Sequence, residues 1–431
     1  MTEPKKTASL EETSAPSEVH PATESQIHAQ IEPVTESTPL DTVFLIVSLL
    51  ALLYVFLIGV GLIEDSFKLM AGGYVSTLFK SIANPLVGLM IGMCATALLQ
   101  SSSTTTSIVV GLVAGGGLSV PTAIPIVMGA NIGTSVTNTL VSMGHAGNRE
   151  EFRRAFAGAT VHDFFNVLSV AILLPLEVMF GFIQKTSAWM TTLLVGSGGT
   201  SFKSPLKMLL KPVIHAVLHV DKGKIKAASL GKPVTGSYLK GGIFQGTGFS
   251  DQLIGGVVVF IGALITVLAL FSIVKLMKRF MEARAAHYLK LALEKNAYAS
   301  LGMGVVATVM VQSSSITTST LVPLVGVGLV SLEAIFPLTL GANIGTTATA
   351  LIASLGGSTQ AGLQVALCHL IFNIFGILIW FPLPFMRRVP LRMATTLGDW
   401  VSEKRWLAIV YIAVVFFLIP LTIILLGRAL S

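Results

Sequence analysis

Two runs of neutral polar side chains interrupt an otherwise apolar chain. The first is Gln100-Ser101-Ser102-Ser103-Thr104-Thr105-Thr106-Ser107; the second is Gln312-Ser313-Ser314-Ser315-Ile316-Thr317-Thr318-Ser319. They lie 212 residues apart (312 − 100 = 212). Gly129-Ala130-Asn131-Ile132-Gly133-Thr134 returns as Gly341-Ala342-Asn343-Ile344-Gly345-Thr346 at the same spacing (341 − 129 = 212). His162 and Asn166 return as His369 and Asn373, now 207 apart (369 − 162 = 207). Three matches in one order mark an internal duplication and point to a polar site shared between the halves. Hydroxyls donate and accept. As donors, with backbone N–H groups at helix N-termini, Ser101, Ser102, Ser103, Ser313, Ser314 and Ser315 suit a tetrahedral oxyanion. As acceptors, with unwound carbonyls and the amides of Gln100, Gln312, Asn131 and Asn343, they suit a small hard cation. Lys and Arg are scarce in these stretches, so an anion needs counter-charge, which a co-transported sodium ion would supply.

Each signal has a plainer reading. Ser and Thr in membrane helices often serve close packing, although a doubled Gln-Ser-Ser-Ser at duplicate positions argues for more than that. Asp163 is a carboxylate inside an apolar span, which is functional by default. Its twin position holds Leu370, so it marks a site used once; its plainer reading is a hydrogen-bonded partner of a neighbouring helix. His162 and His369 are equally well read as bridges between helices. Glu177 falls near the end of its span and reads as interfacial. Cys94 and Cys368 sit in apolar context and read as packing residues, with no disulfide framework or metal cluster.

These residues need a bilayer-spanning scaffold. The chain has 431 residues, 53% hydrophobic and 11% charged, with a mean hydropathy of +0.80. Soluble domains carry about 25% charged residues, so the composition is that of a multi-pass membrane protein. The net charge of +7 comes with no basic-aromatic patch for nucleic acid and reads as basic loops at a membrane face. Residues 1–40 read as a disordered acidic tail, with no secretory signal pattern.

The first transport repeat is expected over 41–182. It holds a crossing at 43–63, a surface segment at 64–81, and a re-entrant helical hairpin with 100–106 near its tip. A crossing at 121–143, broken at its Gly-Ala-Asn-Ile-Gly-Thr segment, and another at 156–182 complete it. Residues 183–252, rich in Lys, read as an external loop with an amphipathic interfacial helix near 204–220. The second repeat, 253–385, duplicates the first, with a crossing at 255–274, a basic segment at 275–295, a hairpin, a broken helix at 337–355 and a crossing at 363–384. Residues 386–431 read as a basic linker and an extra C-terminal crossing at 406–426. Three crossings per half require the second half to enter from the opposite side. The expected fold is therefore an all-α polytopic membrane protein of two inverted-topology repeats, each with a re-entrant hairpin and a broken helix. Basic segments at 149–154, 275–295 and 387–405 then fall on the cytoplasmic side, with the N-terminus.

At these residues the chain resembles the sodium-dependent phosphate cotransporters of the type II family. The paired Gln-Ser-Ser-Ser runs, both Gly-Ala-Asn-Ile-Gly-Thr segments and residues 149–177, including His162-Asp163-Phe164-Phe165-Asn166, carry the resemblance, which covers residues 40–385. It implies secondary active uptake of inorganic phosphate in its divalent form, driven by sodium, with the tip serines lining the phosphate site. The residue reading adds Asn131 and Asn343 to that site. A family sodium site is similar to Gln312, Ser313, Thr346, Thr349 and Thr139; Gln100 and Asn166 are further oxygen candidates. The family's electrogenic members carry a pattern similar to Ala157, Ala159 and Asp163, which implies three sodium ions per phosphate and net inward charge. The chain departs from the family at His145-Ala146-Gly147-Asn148, where vertebrate members have Gln-Ala-Gly-Asp, and in lacking the cysteines of the long external loop. Those departures point to a bacterial member in the inner membrane. The expected partners are phosphate, sodium and lipid, with no nucleic acid and no cofactor beyond co-transported sodium. No nucleophile–base motif or P-loop lysine suggests an enzyme. A sodium-coupled carrier of sulfate or a dicarboxylate, or a channel, are the competing readings.

Overall fold

In a bilayer the backbone must satisfy itself, and long apolar runs do so as helices. The computed structural model describes residues 39–70, 84–195, 205–221, 223–224, 236–293, 296–356 and 359–429. It is all-α apart from one small antiparallel ribbon. The expected N-terminal tail, except its last two residues, lies outside the described residues, as do 71–81 of the expected surface segment.

The first half runs α1 Pro39–Met70, α2 Pro85–Leu99, α3 Ser102–Ala114, α4 Val120–Ile132, a 3-10 turn Gly133–Ser135, α5 Val136–Ser142 and α6 Arg149–Phe180. Then come α7 Phe182–Val195, α8 Pro205–Val217, and strands β1 His219–Val220 and β2 Leu239–Gly241, which pair antiparallel. The second half runs α9 Asp251–Leu293, α10 Ala297–Val311, α11 Ser314–Ser319, α12 Leu321–Gly326, α13 Leu332–Gly356 and α14 Gln360–Trp380. The chain closes with α15 Pro384–Glu403, α16 Trp406–Ala413, a π-helical turn Val414–Leu418 and α17 Ile419–Ala429. Among the described residues six helices are long and apolar enough to cross a membrane: Val43–Phe67, Arg149–Phe180, Asp251–Ile273, Leu332–Leu355, Gln360–Trp380 and Trp406–Gly427.

The duplication is written into the helix starts. Pro39, Pro85, Ser102 and Val120 open helices, and so do Asp251, Ala297, Ser314 and Leu332, each 212 later (251 − 39 = 212). The packing repeats as well. Gly92 of α2 and Gly129 of α4 let two backbones touch: a Cβ at Gly92 would strike the Ile126 carbonyl, and one at Gly129 the Leu89 carbonyl. In the second half Gly304 meets the Leu338 carbonyl and Gly341 the Leu301 carbonyl. Every partner is displaced by 212. This small-residue close approach is how helices bind where no water drives them together.

That packing explains one correction. Both Gly-Ala-Asn-Ile-Gly-Thr segments were expected to break their helices. The first does, as a 3-10 turn between α4 and α5. The second does not: α13 runs unbroken through it. Its glycines fit α13 against α10 instead of unwinding the chain. The break in the second half falls between α11 and α12, where Pro323 has no N–H to give to the Ser319 carbonyl; Gly111 stands at the twin position, and α3 is continuous.

Two further expectations are revised. Glu64 and Asp65 do not lie on the surface: α1 continues through them and both are buried. The helix continues because α1 and α9 pack along their length, meeting closely where Gly59 faces Gly262 and Thr266. The basic linker after residue 386 is helix α15, which packs along α6, joined by Arg149–Glu403 and Arg153–Asp399 ion pairs, each 3.3 Å.

Candidate transport site

Each serine run starts at a helix junction built the same way. Gln100 ends α2 with φ 54° and ψ 27°, and Gln312 ends α10 with φ 56° and ψ 24°. Among the described residues these are the only non-glycine residues with positive φ. The left-handed turn reverses the chain after the helix end, and the glutamine amide covers that end. The Gln100 amide nitrogen donates to the Ala97 carbonyl, and the Gln312 amide nitrogen to the Val309 carbonyl at 2.6 Å. The amide oxygens accept from the next wall, Thr137 at 2.7 Å and Thr349 at 2.8 Å. Ser101 and Ser313 then cap the following helices, accepting from the Thr104 and Ile316 N–H groups. Thr96 donates to Thr105 at 2.9 Å and Thr308 to Thr317 at 3.0 Å, tying each arm to its partner.

Ser102, Ser103, Ser314 and Ser315 follow, all buried. Thr106 and Thr318 spend their hydroxyls on the Ser102 and Ser314 carbonyls, each at 2.8 Å. The four serine hydroxyls themselves make no hydrogen bond to any described residue. Unlike Ser107 Oγ, which is fully enclosed without a partner, these oxygens stay within reach of a small ligand, and that uncommitted set is the chemical feature of the two junctions.

Between the halves lies an amide–imidazole network. His162 Nε2 donates to Asn343 Oδ1, and Ser135 donates to His162 Nδ1 at 2.7 Å. Asn343 Nδ2 donates to Asn166 Oδ1 at 3.1 Å, and Asn166 Nδ2 to the Asn131 carbonyl at 3.3 Å. On the other side His369 Nε2 donates to Asn131 Oδ1 at 3.2 Å. Each histidine therefore reaches the asparagine of the opposite half. The bridging reading of the histidines describes their geometry. Asn131 and Asn343 have their amides engaged here.

The expected sodium residues divide. Gln312 and Thr349 are joined directly. Thr346 and Thr139 are buried and donate to carbonyls four residues back, those of Ala342 and Ser135, both at 3.0 Å. The Gln100 partner is Thr137, which the sequence reading missed; shifting Thr349 back by 212 gives it (349 − 212 = 137). Asp163 is buried. One carboxylate oxygen accepts from Tyr411 of α16 at 2.8 Å, and the other is buried without a hydrogen-bond partner among the described residues. Nothing in the sequence linked Asp163 to Tyr411. Glu177 takes a structural place, accepting from the Ile183 and Gln184 N–H groups at the start of α7. Asn148, at the departure from the family, caps α6 by accepting from the Glu150 and Glu151 N–H groups.

Fold and site together define an integral membrane protein of helices with a duplicated, hydroxyl-rich interior. Residues 55–200 and 264–395, more than half of the chain, match the family model described as Na+/Pi-cotransporter. Sodium-dependent phosphate transport protein 2A of Rattus norvegicus is 37% identical over 420 residues, covering 86% of this chain and 66% of that protein. Sodium-dependent phosphate transport protein 2B of Homo sapiens is 37% identical over 445 residues, covering 88% and 64%. The chain spans a little under two thirds of the length of these relatives. No solved structure matches it. The chain belongs to the Na+/Pi-cotransporter family.

Proposed function

We propose that this protein is a sodium-coupled importer of inorganic phosphate, and not an enzyme. Four uncommitted hydroxyls on buried serines at duplicated junctions, in a chain of this family, carry the reading. Ser102, Ser103, Ser314 and Ser315 donate to phosphate oxygens, with backbone N–H groups at the start of α3 adding to the field. Ser101 and Ser313 shape the two junctions as caps, and the Asn131 and Asn343 amides border the site through the network that joins the halves. Sodium takes oxygen ligands from Gln312, Ser313, Thr346, Thr349 and Thr139, with Gln100, Asn166 and Asp163 as further donors. Its charge offsets that of the anion, which otherwise meets few basic groups.

The two junctions are the tips of re-entrant hairpins that enter from opposite leaflets, in repeats of inverted topology. Transport is by alternating access: sodium binds first and orders the tips, phosphate follows, and one unit rocks against the other. The membrane is the bacterial inner membrane, with the N-terminus cytoplasmic.

The test is uptake of labelled phosphate into vesicles carrying the purified protein. An inward sodium gradient should drive phosphate above its external concentration. Potassium in place of sodium should abolish accumulation. Accumulation of sulfate or a dicarboxylate in preference to phosphate would overturn the substrate assignment, and downhill flux without accumulation would mean a channel.

A further inference from the structure

The C-terminal helix begins at Trp406, past the last residue of the family match. Even so, it reaches the carboxylate that the proposed mechanism uses. Tyr411 donates to Asp163 Oδ2 at 2.8 Å across 248 residues of sequence. The ring is held on two sides: it packs edge-on against Phe156 of α6 at 6.0 Å and against Phe416 at 5.8 Å between centroids. Phe416 is fully buried and sits in the π-helical turn Val414–Leu418. Such turns change the register of a helix and often occur at functional sites. The thiol of Cys94 in α2 donates to the Phe416 carbonyl at 3.7 Å. The π-turn is thus fastened to the first arm of the duplicated site, one turn from the tyrosine.

We propose that Tyr411 is a positioning residue for sodium coupling, acting through Asp163. The proposal rests on the reading of Asp163 as a sodium-coupling carboxylate. Tyr411 fixes Oδ2, so the side chain cannot turn freely, and Oδ1, buried and without a hydrogen-bond partner among the described residues, is the oxygen left for the ion. A carboxylate held by one charge-assisted hydrogen bond presents its second oxygen in a set direction. A ligand already oriented before the ion arrives loses less freedom on binding. The last helix, outside the family match, thereby tunes a site inside it.

Tyr411→Phe removes the donor and keeps the ring between Phe156 and Phe416. In sodium titrations of phosphate uptake it should raise the half-saturating sodium concentration about tenfold, the scale of one lost hydrogen bond to a charged group. Phe381→Leu, at a buried ring that follows α14 and packs on Tyr298, is the packing control. It should lower the thermal midpoint in detergent and leave the sodium half-saturation in place, a split that a merely structural tyrosine would not give. Asp163→Asn should itself weaken sodium dependence, and adding Tyr411→Phe to it should change nothing further. Unchanged sodium dependence in Tyr411→Phe, with Asp163→Asn impaired, overturns the positioning role and leaves the Asp163 reading standing. Additive effects in the double variant overturn it too. Wild-type sodium dependence in Asp163→Asn overturns both.

Discussion

Gln100 and Gln312 are the residues on which the junctions turn. Left-handed backbone costs a non-glycine residue about 1 kcal/mol or more, and the chain accepts that cost twice. Glycine would remove it, but glycine has no amide to cover the helix end and reach the facing threonine. Gln312→Ala keeps the strained backbone and loses both bonds to Val309 and Thr349. It should destabilise the protein by about 1–3 kcal/mol, read as a lower thermal midpoint. Thr349→Val should add little in that background, because the shared bond is already gone. The serines should behave in the opposite way. Ser102→Ala and Ser314→Ala delete hydroxyls that no described residue uses, so the thermal midpoint should hold while phosphate uptake falls sharply. Normal phosphate affinity in both variants would remove them from the site. The serines and glutamines were legible because their types and spacing repeat. The Asp163–Tyr411 contact was not, because it joins a repeat to a helix that has no twin, and spacing carries no information about such a pair.

At the scale of elements, the glycines decide which helices pair. Gly304 lies on the face of α10 that meets α13, and Gly302 lies two residues away with open space where a Cβ would sit. Gly304→Val should therefore push α10 from the Leu338 backbone, costing about 1–3 kcal/mol. Gly302→Ala should be neutral or stabilise slightly, since alanine is the better helix former by about 1 kcal/mol. Folded yield after membrane extraction and the thermal midpoint measure both; equal loss in the two would mean that the Gly304 contact does not hold the pair. This is where the sequence was partly misread. Gly-Ala-Asn-Ile-Gly-Thr has the composition of an unwound segment, and in α4 the chain does depart from α-helix at Gly133. In α13 the same letters stay helical. Glycine permits unwinding and close packing alike, and the partner helix chooses between them. The break after Ser319 was legible in principle from Pro323, a residue with no counterpart in the first half. Amphipathic α15 looked like a linker because of its many charges, yet its apolar stripe, Leu391, Ala394 and Val401, packs on α6, with the ion pairs at the edge of that contact.

At the scale of the molecule, the halves are joined by bonds that exchange partners: His162 with Asn343, His369 with Asn131. The bonds are alike, and their surroundings are not. His162 has Ser135 behind it, while His369 Nδ1 has no hydrogen-bond partner among the described residues. Asp163 has no twin carboxylate, because Leu370 stands at the matching position. A symmetric network with an unmatched carboxylate beside it, at residue 163, suits a cycle in which one sodium ion is handled apart from the rest. If three sodium ions accompany divalent phosphate, one net positive charge enters per cycle, and a membrane potential does work on it of about 2.3 kcal/mol per 100 mV. With equal sodium on both sides, an inside-negative potential alone should then accumulate labelled phosphate in vesicles, by up to about fiftyfold at 100 mV, the fold-change that this energy represents. Asp163→Gly should keep uptake driven by a sodium gradient and lose the response to potential. Its neighbour Tyr411→Phe, which leaves the carboxylate in place, should keep that response at high sodium. Equal stimulation by potential in Asp163→Gly and the unaltered protein would place the moving charge elsewhere, and the asymmetry at residue 163 would then belong to the fold rather than to the transport cycle.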